Sequence, residues 1–300
     1  MNEAPATGTE TDTEKGTEIP PELVTQMTGW RRDFHRHPEP GFAEERTSAH
    51  IASLLESFGI EVHRNIGKTG IVGILQRGNG PGSIAFRADM DALPVTETGT
   101  PEWVSVHDGA MHACGHDGHT AMLLGAACHL AAKGDFNGRI VFIFQPNEEH
   151  GQGARAMIDD GLFQRFPADA VFAMHNIPGM KAGSFATRAG PMTASESLFE
   201  LSVTARGGHA ALPHMGVDAI LVGAQLVTAL QSIVSRKLDP ARNGVVSITE
   251  FITDGSRNVL PSSALLKGDA RALSDDTNHA IEAHMRRIAA GIAAANDVDI

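Results

Sequence analysis

The first part of the chain combines helical and strand-like hydrophobic patterns. The segment PELVTQMTGWRRDFHRHPEPGF predicts a helix that ends at the prolines of HPEP. In the following EERTSAHIASLLESFGI, Ile51, Leu54 and Leu55 repeat at helical spacing, and Gly59 supplies a stop. Short apolar runs, GIVGIL and SIAFRAD, then predict strands.

Further along, the apolar runs become longer. A helix is predicted at about 118–133, followed by RIVFIFQ, a near-continuous apolar run typical of a strand buried on both faces of a sheet. The run ADAVFAMH predicts another strand. Strands that alternate with helices favour an α/β domain with a mainly parallel sheet.

From about residue 187 the pattern changes. SLFELSVTAR alternates like a half-exposed strand, a long helix is predicted at about 216–236, and GVVSITEFI and SALLKGDARAL predict two more strands. TNHAIEAHMRRIAAGIAAAN predicts a second long helix, and DVDI the start of a strand. This β-α-β-β-α-β order is the split βαβ of a ferredoxin-like domain. We therefore expect domains at 20–186 and 187–300, the second cut short in its last strand within a longer protein.

Composition and charge narrow the possible partners. The formal charge of −12 disfavours nucleic acid and anionic membranes, because both require a basic surface. No apolar run approaches the roughly 20 residues of a membrane span. The first 19 residues predict a disordered acidic tail without a signal-peptide pattern. Only two cysteines occur, so we expect no disulfide framework and a reducing, cytoplasmic location.

The candidate chemistry lies where predicted strands end. Three sets of polar residues follow such strands: Asp89 with Asp91, Glu148 with Glu149, and His175. In open α/β sheets, ligands bind at the carboxyl ends of the strands. Cys114 and His116 lie in a glycine-broken loop just before a predicted helix. We therefore expect four separate segments to converge on one crevice.

The segment MHACGHDGHTA is rich in metal-ligand chemistry. Cys114 and His116 are two residues apart, so in an extended segment they point the same way, and Gly115 lets the loop bend. The following helix N-terminus is expected to lower the thiol pKa. Thiolate, imidazole and carboxylate together suit zinc, with manganese, cobalt or nickel as alternatives. The alternative interpretation of this segment is a histidine-rich loop with a buried thiol and no metal. His107, His112 and His119 show no spacing that requires them to be metal ligands.

The adjacent Glu148 and Glu149 could have two different chemical roles. One would ligate a metal, and the other would take a proton from water as general base. A solvated turn is the alternative for this pair, and a structural histidine is the alternative for His175. His209 follows a strand of the second domain and has small neighbours, GGHAA, that leave its imidazole free to reach out. Its alternative is an ordinary turn histidine.

Taken together, these motifs resemble a known family. RRDFHRHPEPGF, RADMDALPV, MHACGHDGHTAMLLG, IVFIFQPNEE, MHNIPG, GGHAALPH and RNVLPSSALLKGDAR occur in one order over roughly residues 20 to 300. They resemble the amidohydrolase branch of the aminoacylase/carboxypeptidase family of dinuclear metallopeptidases. The resemblance implies a zinc-exopeptidase-like catalytic domain with an inserted ferredoxin-like α+β lid/dimerisation domain.

The resemblance also implies roles for single residues. The matching metal ligands are Cys114, His116, Glu149 and His175. Glu148 matches the general base, and Asp89 matches a carboxylate of the catalytic site behind the ligands. His209 matches the lid histidine that steadies the oxyanion in the neighbouring subunit, and Asn258 and Arg271 match residues around the substrate's carboxylate. The family has a fifth ligand, a histidine beyond the lid, which this sequence does not contain.

The expected activity follows from these implied roles. Two divalent metal ions per subunit and Glu148 would hydrolyse the amide bond of a small N-acyl amino acid. A homodimer would form through the lid domain. Two alternatives stay open: a metallo-dipeptidase or aminopeptidase with a peptide substrate, and a truncated metal-binding protein without activity.

Overall fold

The computed structural model of the chain describes residues 19–300, so the predicted tail lies, except for Ile19, outside the described residues. The described residues up to Met180 form one compact unit, and Lys181–Ile300 form a second. The division therefore lies a few residues before the boundary predicted at 186/187.

The N-terminal unit contains five helices and five strands among its described residues. The helices are α1 (Pro21–Arg36), α2 (Glu45–Ser57), α3 (His116–Lys133), α4 (Gly153–Asp159) and α5 (Leu162–Arg165). The strands are β1 (Glu61–Ile66), β2 (Gly70–Arg77), β3 (Ser83–Asp89), β4 (Gly138–Gln145) and β5 (Ala170–Ala173). Helix α1 begins with a proline, whose missing N–H costs nothing in the first turn, and it ends just before Pro38.

The sheet of this unit is mixed, with strand order β1-β2-β4-β3-β5. The pairs β1–β2 and β2–β4 are antiparallel, whereas β4–β3 and β3–β5 are parallel. The prediction of a mainly parallel sheet was therefore wrong for its first half. The reason is local, because β1 and β2 are joined by a tight turn at 67–69, too short for a parallel crossover.

Helices cover both faces of this sheet. On β4, Phe142 and Phe144 join the core cluster that contains Leu55 of α2 and Leu124 of α3. The alternate residue Ile143 joins the other cluster, with residues of α4 and α5. The near-continuous apolar run RIVFIFQ is thus explained, since successive side chains of a central strand enter opposite cores. The predicted α/β class is confirmed.

The C-terminal unit contains two long helices and five strands. The strands are β6 (Ser195–Thr204), β7 (Gly208–His209), β8 (Gly244–Thr253), β9 (Val259–Leu260) and β10 (Ser263–Ala272). The helices are α6 (Ala219–Ser232), continued by a π-helical turn at Ile233–Lys237, and α7 (Asp275–Asn296), with a 3-10 turn at Pro213–Met215. Side chains of Asp218 and Ser274 cap the N-termini of α6 and α7.

The main sheet of this unit has the order β6-β10-β8, and both of its pairings are antiparallel. Asp299 forms an antiparallel bridge with Thr204 of β6, with N···O distances of 2.8 and 3.1 Å. The segment after α7 therefore lies beside β6, where a ferredoxin-like fold places its fourth strand. Leu226 of α6 and Met285 of α7 are buried in the clusters that also contain Leu266 and Ala270 of the sheet.

The helix predicted at about 216–236 is more apolar than the sequence analysis, which found no run close to a membrane span, had indicated. By length and composition alone, Ala219–Lys237 is apolar enough to cross a membrane, with 19 residues and a mean hydropathy of 1.3. Its residues Leu226, Leu230 and Ile233 are fully buried in the unit. A core helix of a folded domain has the same features, so the helix is weak evidence for a membrane span.

Candidate metal centre

The fold brings the predicted strand ends together. Strands β3, β4 and β5 run in the same direction, so their carboxyl ends meet at one edge of the sheet. Asp89 is the last residue of β3, and Glu148 and Glu149 follow β4. His175 lies just beyond β5. The predicted convergence at this edge is what the strand directions require.

The fourth segment arrives at the start of α3. His116 is the first residue of this helix, and Gly115 before it has a φ of 90°. A Cβ at Gly115 would lie 2.5 Å from Asn176 Oδ1, so both its conformation and its close packing require glycine. The turn holds the Cys114 thiol beside His175, with 3.4 Å between Sγ and Nε2.

Three overlapping groups of side chains are arranged closely enough to hold a metal ion. The groups are Cys114 with His116 and His175, His116 with Glu148 and Glu149, and Asp89 with His116 and His119. His116 is common to all three. Its Nε2 lies 3.7 Å from Glu149 Oε1, 3.8 Å from Glu148 Oε2 and 3.8 Å from Asp89 Oδ1. The four ligands implied by the resemblance thus fall in two of these groups, which share His116.

Two buried atoms in this cluster lack a hydrogen-bond partner within residues 19–300. They are His116 Nε2 and Glu149 Oε1. The other ring nitrogen of His116 lies 3.0 Å from the carbonyl oxygen and 3.2 Å from Oδ1 of Asp91, so it carries the proton and leaves a lone pair on Nε2. Burying a lone pair opposite buried carboxylates costs free energy of folding unless a cation binds between them. The donor set therefore fits a divalent cation.

His175 is oriented in the same way. Its Nδ1 donates to the carbonyl oxygen of Asn176 at 2.7 Å, which leaves Nε2 facing Cys114 Sγ. His119 differs, because both of its ring nitrogens are occupied. Nδ1 donates to Asp89 Oδ1 at 2.6 Å, and Nε2 lies 2.5 Å from Oδ1 and 3.1 Å from the backbone N of Asn176. His119 therefore supports Asp89 and the loop of His175.

The electrostatics of Cys114 differ from the expectation. Burial, together with the negative charges of Glu149, Glu148 and Asp89, raises the pKa of the Cys114 thiol to about 12. Burial and the nearby carboxylates thus outweigh the lowering that was expected from the helix N-terminus. A thiolate among three acids needs a compensating cation, which again fits a metal.

Two aspartates keep their charge despite being buried. Burial alone would raise the pKa of Asp89, but the hydrogen bond from His119 and the charges of Arg87 and His116 lower it overall. Burial likewise opposes ionisation of Asp91, yet hydrogen bonds from His116 and from the backbone of Glu149 lower its pKa. Asp91 thus holds both His116 and the Glu149 backbone, whose N–H lies 3.1 Å from Asp91 Oδ2.

Sequence reasoning did not assign roles to Asp91 and His119, although signals for both exist. Asp91 lies two residues after Asp89, the spacing that puts extended residues on one side. His119 lies three residues after His116, on the same helix face.

The remaining predicted residues lie in the C-terminal unit. His209 in β7 pairs with Val259 in β9, and the N–H of Ala210 donates to the carbonyl oxygen of Asn258 at 3.0 Å. This small sheet brings His209 and Asn258 together. Arg271 lies on β10, where its guanidinium is bonded to Asp269 and Glu196.

Comparison with known proteins now decides the family. The model of peptidase family M20/M25/M40 matches residues 85–296, which include the edge of β3, the Cys114 loop, both glutamates and the second unit. The chain belongs to this family. Family M20/M25/M40 thus accounts for most of the sequence motifs together.

Two curated relatives within the family are amidohydrolases by name. The chain is 45% identical over 270 residues to the hippurate hydrolase of Campylobacter jejuni. This alignment covers 90% of this chain and 70% of that protein. It is 41% identical over 279 residues to the N-acyl-L-amino acid amidohydrolase of Geobacillus stearothermophilus, covering 92% and 74%.

A solved structure supports the fold of the family. A Bacillus subtilis protein described as a dinuclear metal binding peptidase of the M20 family matches with a TM-score of 0.76 and 36% identity. The match covers 93% of this chain and 72% of that one. The predicted zinc-exopeptidase-like fold class is therefore confirmed, and so is the predicted family.

Proposed function

We propose that this protein is a metal-dependent amidohydrolase. It hydrolyses the amide bond of N-acyl amino acids and releases a carboxylic acid and a free amino acid. The observation that carries the proposal is that, within residues 19–300, His116 Nε2 and Glu149 Oε1 are buried beside Cys114 and His175 without a hydrogen-bond partner. The relatives named as amidohydrolases support the choice of bond.

The proposed cofactor is a pair of divalent metal ions. Cys114, His116, Glu149 and His175 would hold them, and Zn²⁺, Mn²⁺, Co²⁺ and Ni²⁺ all accept this mixture of sulfur, nitrogen and oxygen. When bound, such ions supply Lewis-acid activation of water and of the amide carbonyl. The dinuclear description of the B. subtilis structure supports the number of ions.

The two glutamates receive different roles because their surroundings differ. The side chain of Glu149 is 16% exposed and its backbone N–H is held by Asp91, as a fixed ligand requires. Glu148 is 40% exposed, so its carboxylate can meet a substrate and a water molecule. We assign Glu148 as the general base that takes the proton of the attacking water and returns it to the leaving nitrogen. Asp89 supports this catalytic site from behind.

The second unit would contact the substrate. His209 Nδ1 accepts the N–H of Ala211 at 3.1 Å, which puts the ring proton on Nε2. That N–H can donate to the oxyanion that forms when the amide is attacked. The carboxylate of the amino acid would be bound by Arg271 and by Asn258, which lies next to His209. At Arg271 this carboxylate would compete with Asp269 and Glu196 for the guanidinium group.

Assembly and location complete the proposal. A homodimer formed through the second unit would let His209 serve the partner subunit, as the family resemblance implies. The charge of −12 supports a small-molecule substrate in preference to nucleic acid or an anionic membrane. The paucity of cysteine supports a cytoplasmic location.

A substrate panel tests the function directly. We expect hydrolysis of an N-acyl amino acid, such as an N-benzoyl or N-acetyl derivative, and little hydrolysis of a dipeptide with a free amino group. Chelation should stop the reaction, and added Zn²⁺, Mn²⁺, Co²⁺ or Ni²⁺ should restore it. Faster hydrolysis of the dipeptide would assign a metallo-dipeptidase instead. Metal binding without hydrolysis of either would assign a metal-binding protein without activity.

The thiol offers a test of the ligand set. Cys114→Ala should lower the metal content per subunit as well as the rate, because the sulfur that lies 3.4 Å from His175 Nε2 is removed. Cys128→Ala is the matched control, since this second free cysteine lies in α3 outside the metal-binding groups. Elemental analysis of both purified variants makes the comparison. Wild-type metal content in Cys114→Ala would remove Cys114 from the ligand set.

A further inference from the structure

Glu44 is a buried acid far from the metal centre in sequence. Its side chain is inaccessible to solvent, with 0% exposure. Oε1 accepts the backbone N–H of Asn147 at 2.8 Å, across 103 residues of sequence. Oε2 accepts the hydroxyl of Thr69 at 2.6 Å. Burial raises the pKa of Glu44, and these hydrogen bonds oppose that shift. One side chain therefore ties the loop after β4 to the turn between β1 and β2.

The Asn147 end of this link carries backbone strain. Asn147 has a φ of 45°, in the left-handed region that residues other than glycine rarely adopt, although asparagine does so more often than most, and it is 3% exposed. The N–H bonded to Glu44 belongs to this strained residue. Strained backbone persists only where its surroundings over-determine it, and such residues cluster at functional sites. Glu148 and Glu149 follow immediately.

Further strain surrounds the same carboxylate. Two other non-glycine residues in the left-handed region, Phe42 with φ 63° and Lys68 with φ 81°, lie within two residues of Glu44 and Thr69. The turn at Gly41 packs tightly against Asn147, because a Cβ at Gly41 would lie 1.8 Å from Asn147 Oδ1. Three strained turns thus meet at Glu44. Of the two segments that hydrogen-bond to the Glu44 carboxylate, the one at Asn147 continues directly into Glu148 and Glu149, whereas Thr69 belongs to the turn between β1 and β2.

We infer that Glu44 is a positioning residue for the glutamate pair. By accepting the N–H of Asn147 it holds the left-handed turn that directs Glu149 towards His116 and Glu148 towards the substrate. Glu44 itself contacts neither metal nor substrate. The inference rests on the roles proposed above for Glu148 and Glu149.

The test compares variants that differ in what they offer to Asn147. Glu44→Met keeps the length of the side chain but accepts no hydrogen bond. Glu44→Gln keeps one oxygen for the Asn147 N–H, while its NH₂ group can donate to the Thr69 hydroxyl. Thr69→Val is the matched control, because it removes the other bond of the same carboxylate. Zn²⁺ affinity, measured on the metal-free 300-residue chain against a competing chelator, is the main readout.

We expect Glu44→Met to weaken Zn²⁺ binding by roughly 10–100-fold, the usual cost of losing a group that orients a ligand. Glu44→Gln and Thr69→Val should stay near the wild-type affinity, even where urea denaturation shows Thr69→Val to be less stable. The value of kcat should follow the same order, with KM little changed.

Four outcomes would overturn the inference. Wild-type affinity in Glu44→Met would do so, and so would an equal loss in Thr69→Val, because a general loss of stability would then explain both. If Glu44→Met does not fold, Glu44→Asp, whose carboxylate is one methylene shorter, takes its place, and wild-type Zn²⁺ affinity in Glu44→Asp would overturn the inference. If neither variant folds, Glu44 is required for folding and the inference is also overturned. The measurement of Zn²⁺ affinity needs no substrate. If the protein hydrolysed no N-acyl amino acid, the proposed function would be refuted, but the comparison of Zn²⁺ affinities among the variants would still be valid.

Discussion

Glu148→Gln is expected to lower kcat by on the order of 10²-fold or more while metal content stays at the wild-type value. Glutamine keeps the shape of the side chain but cannot take the proton of the attacking water. The side chain of Glu148 is 40% exposed, so its charge does not hold the buried part of the cluster together. Initial rates on an N-acyl amino acid and elemental analysis of the same preparations measure both quantities.

Glu149→Gln is the paired control and should behave differently. Its Oε1 is buried and without a hydrogen-bond partner in the described part of the chain, so the change removes a charged ligand. Metal content should therefore fall together with the rate. If Glu148→Gln lost metal and Glu149→Gln kept it, the two assignments would be reversed.

His209→Ala should be nearly inactive by itself, and mixing it with Glu148→Gln should restore roughly a quarter of the wild-type activity. If His209 serves the partner subunit, a mixed dimer has one intact site, with Glu148 from one chain and His209 from the other. The other site lacks both residues. Random exchange makes about half of the dimers mixed, each with one working site of two.

Light scattering and subunit exchange, followed with differently tagged chains, provide the control for this experiment. If exchange is complete and no activity returns, each His209 serves its own chain. A monomer in solution would remove the proposed dimer and with it the borrowed histidine.

Much of the site was readable from the sequence because its signals are local. Polar residues directly after apolar strands predicted the shared edge at Asp89, Glu148 and His175, and the strand directions place them there. The glycine before His116 predicted a bent loop, and Gly115 has a φ of 90°. The order of strands and helices after residue 187 predicted the ferredoxin-like unit, whose sheet order is β6-β10-β8.

Other properties depend on contacts between distant residues, which local patterns do not encode. The β1–β2 hairpin is local, but its antiparallel pairing with β4 joins residues that are distant in sequence. The pKa of Cys114 depends on carboxylates from β3 and from the loop after β4. The hydrogen bond from Asn147 to Glu44 spans 103 residues.

The sequence therefore predicted most of the helices and strands, the family and the residue types of the candidate site, because periodicity, turn residues and short motifs act over a few positions. The tertiary structure alone decided which atoms of those residues are buried, paired or left without a partner. The structure therefore gives the physical difference between His116 and His119 and the separate surroundings of Glu148 and Glu149. Burial and electrostatics arise only when segments remote in sequence come within a few ångströms of each other.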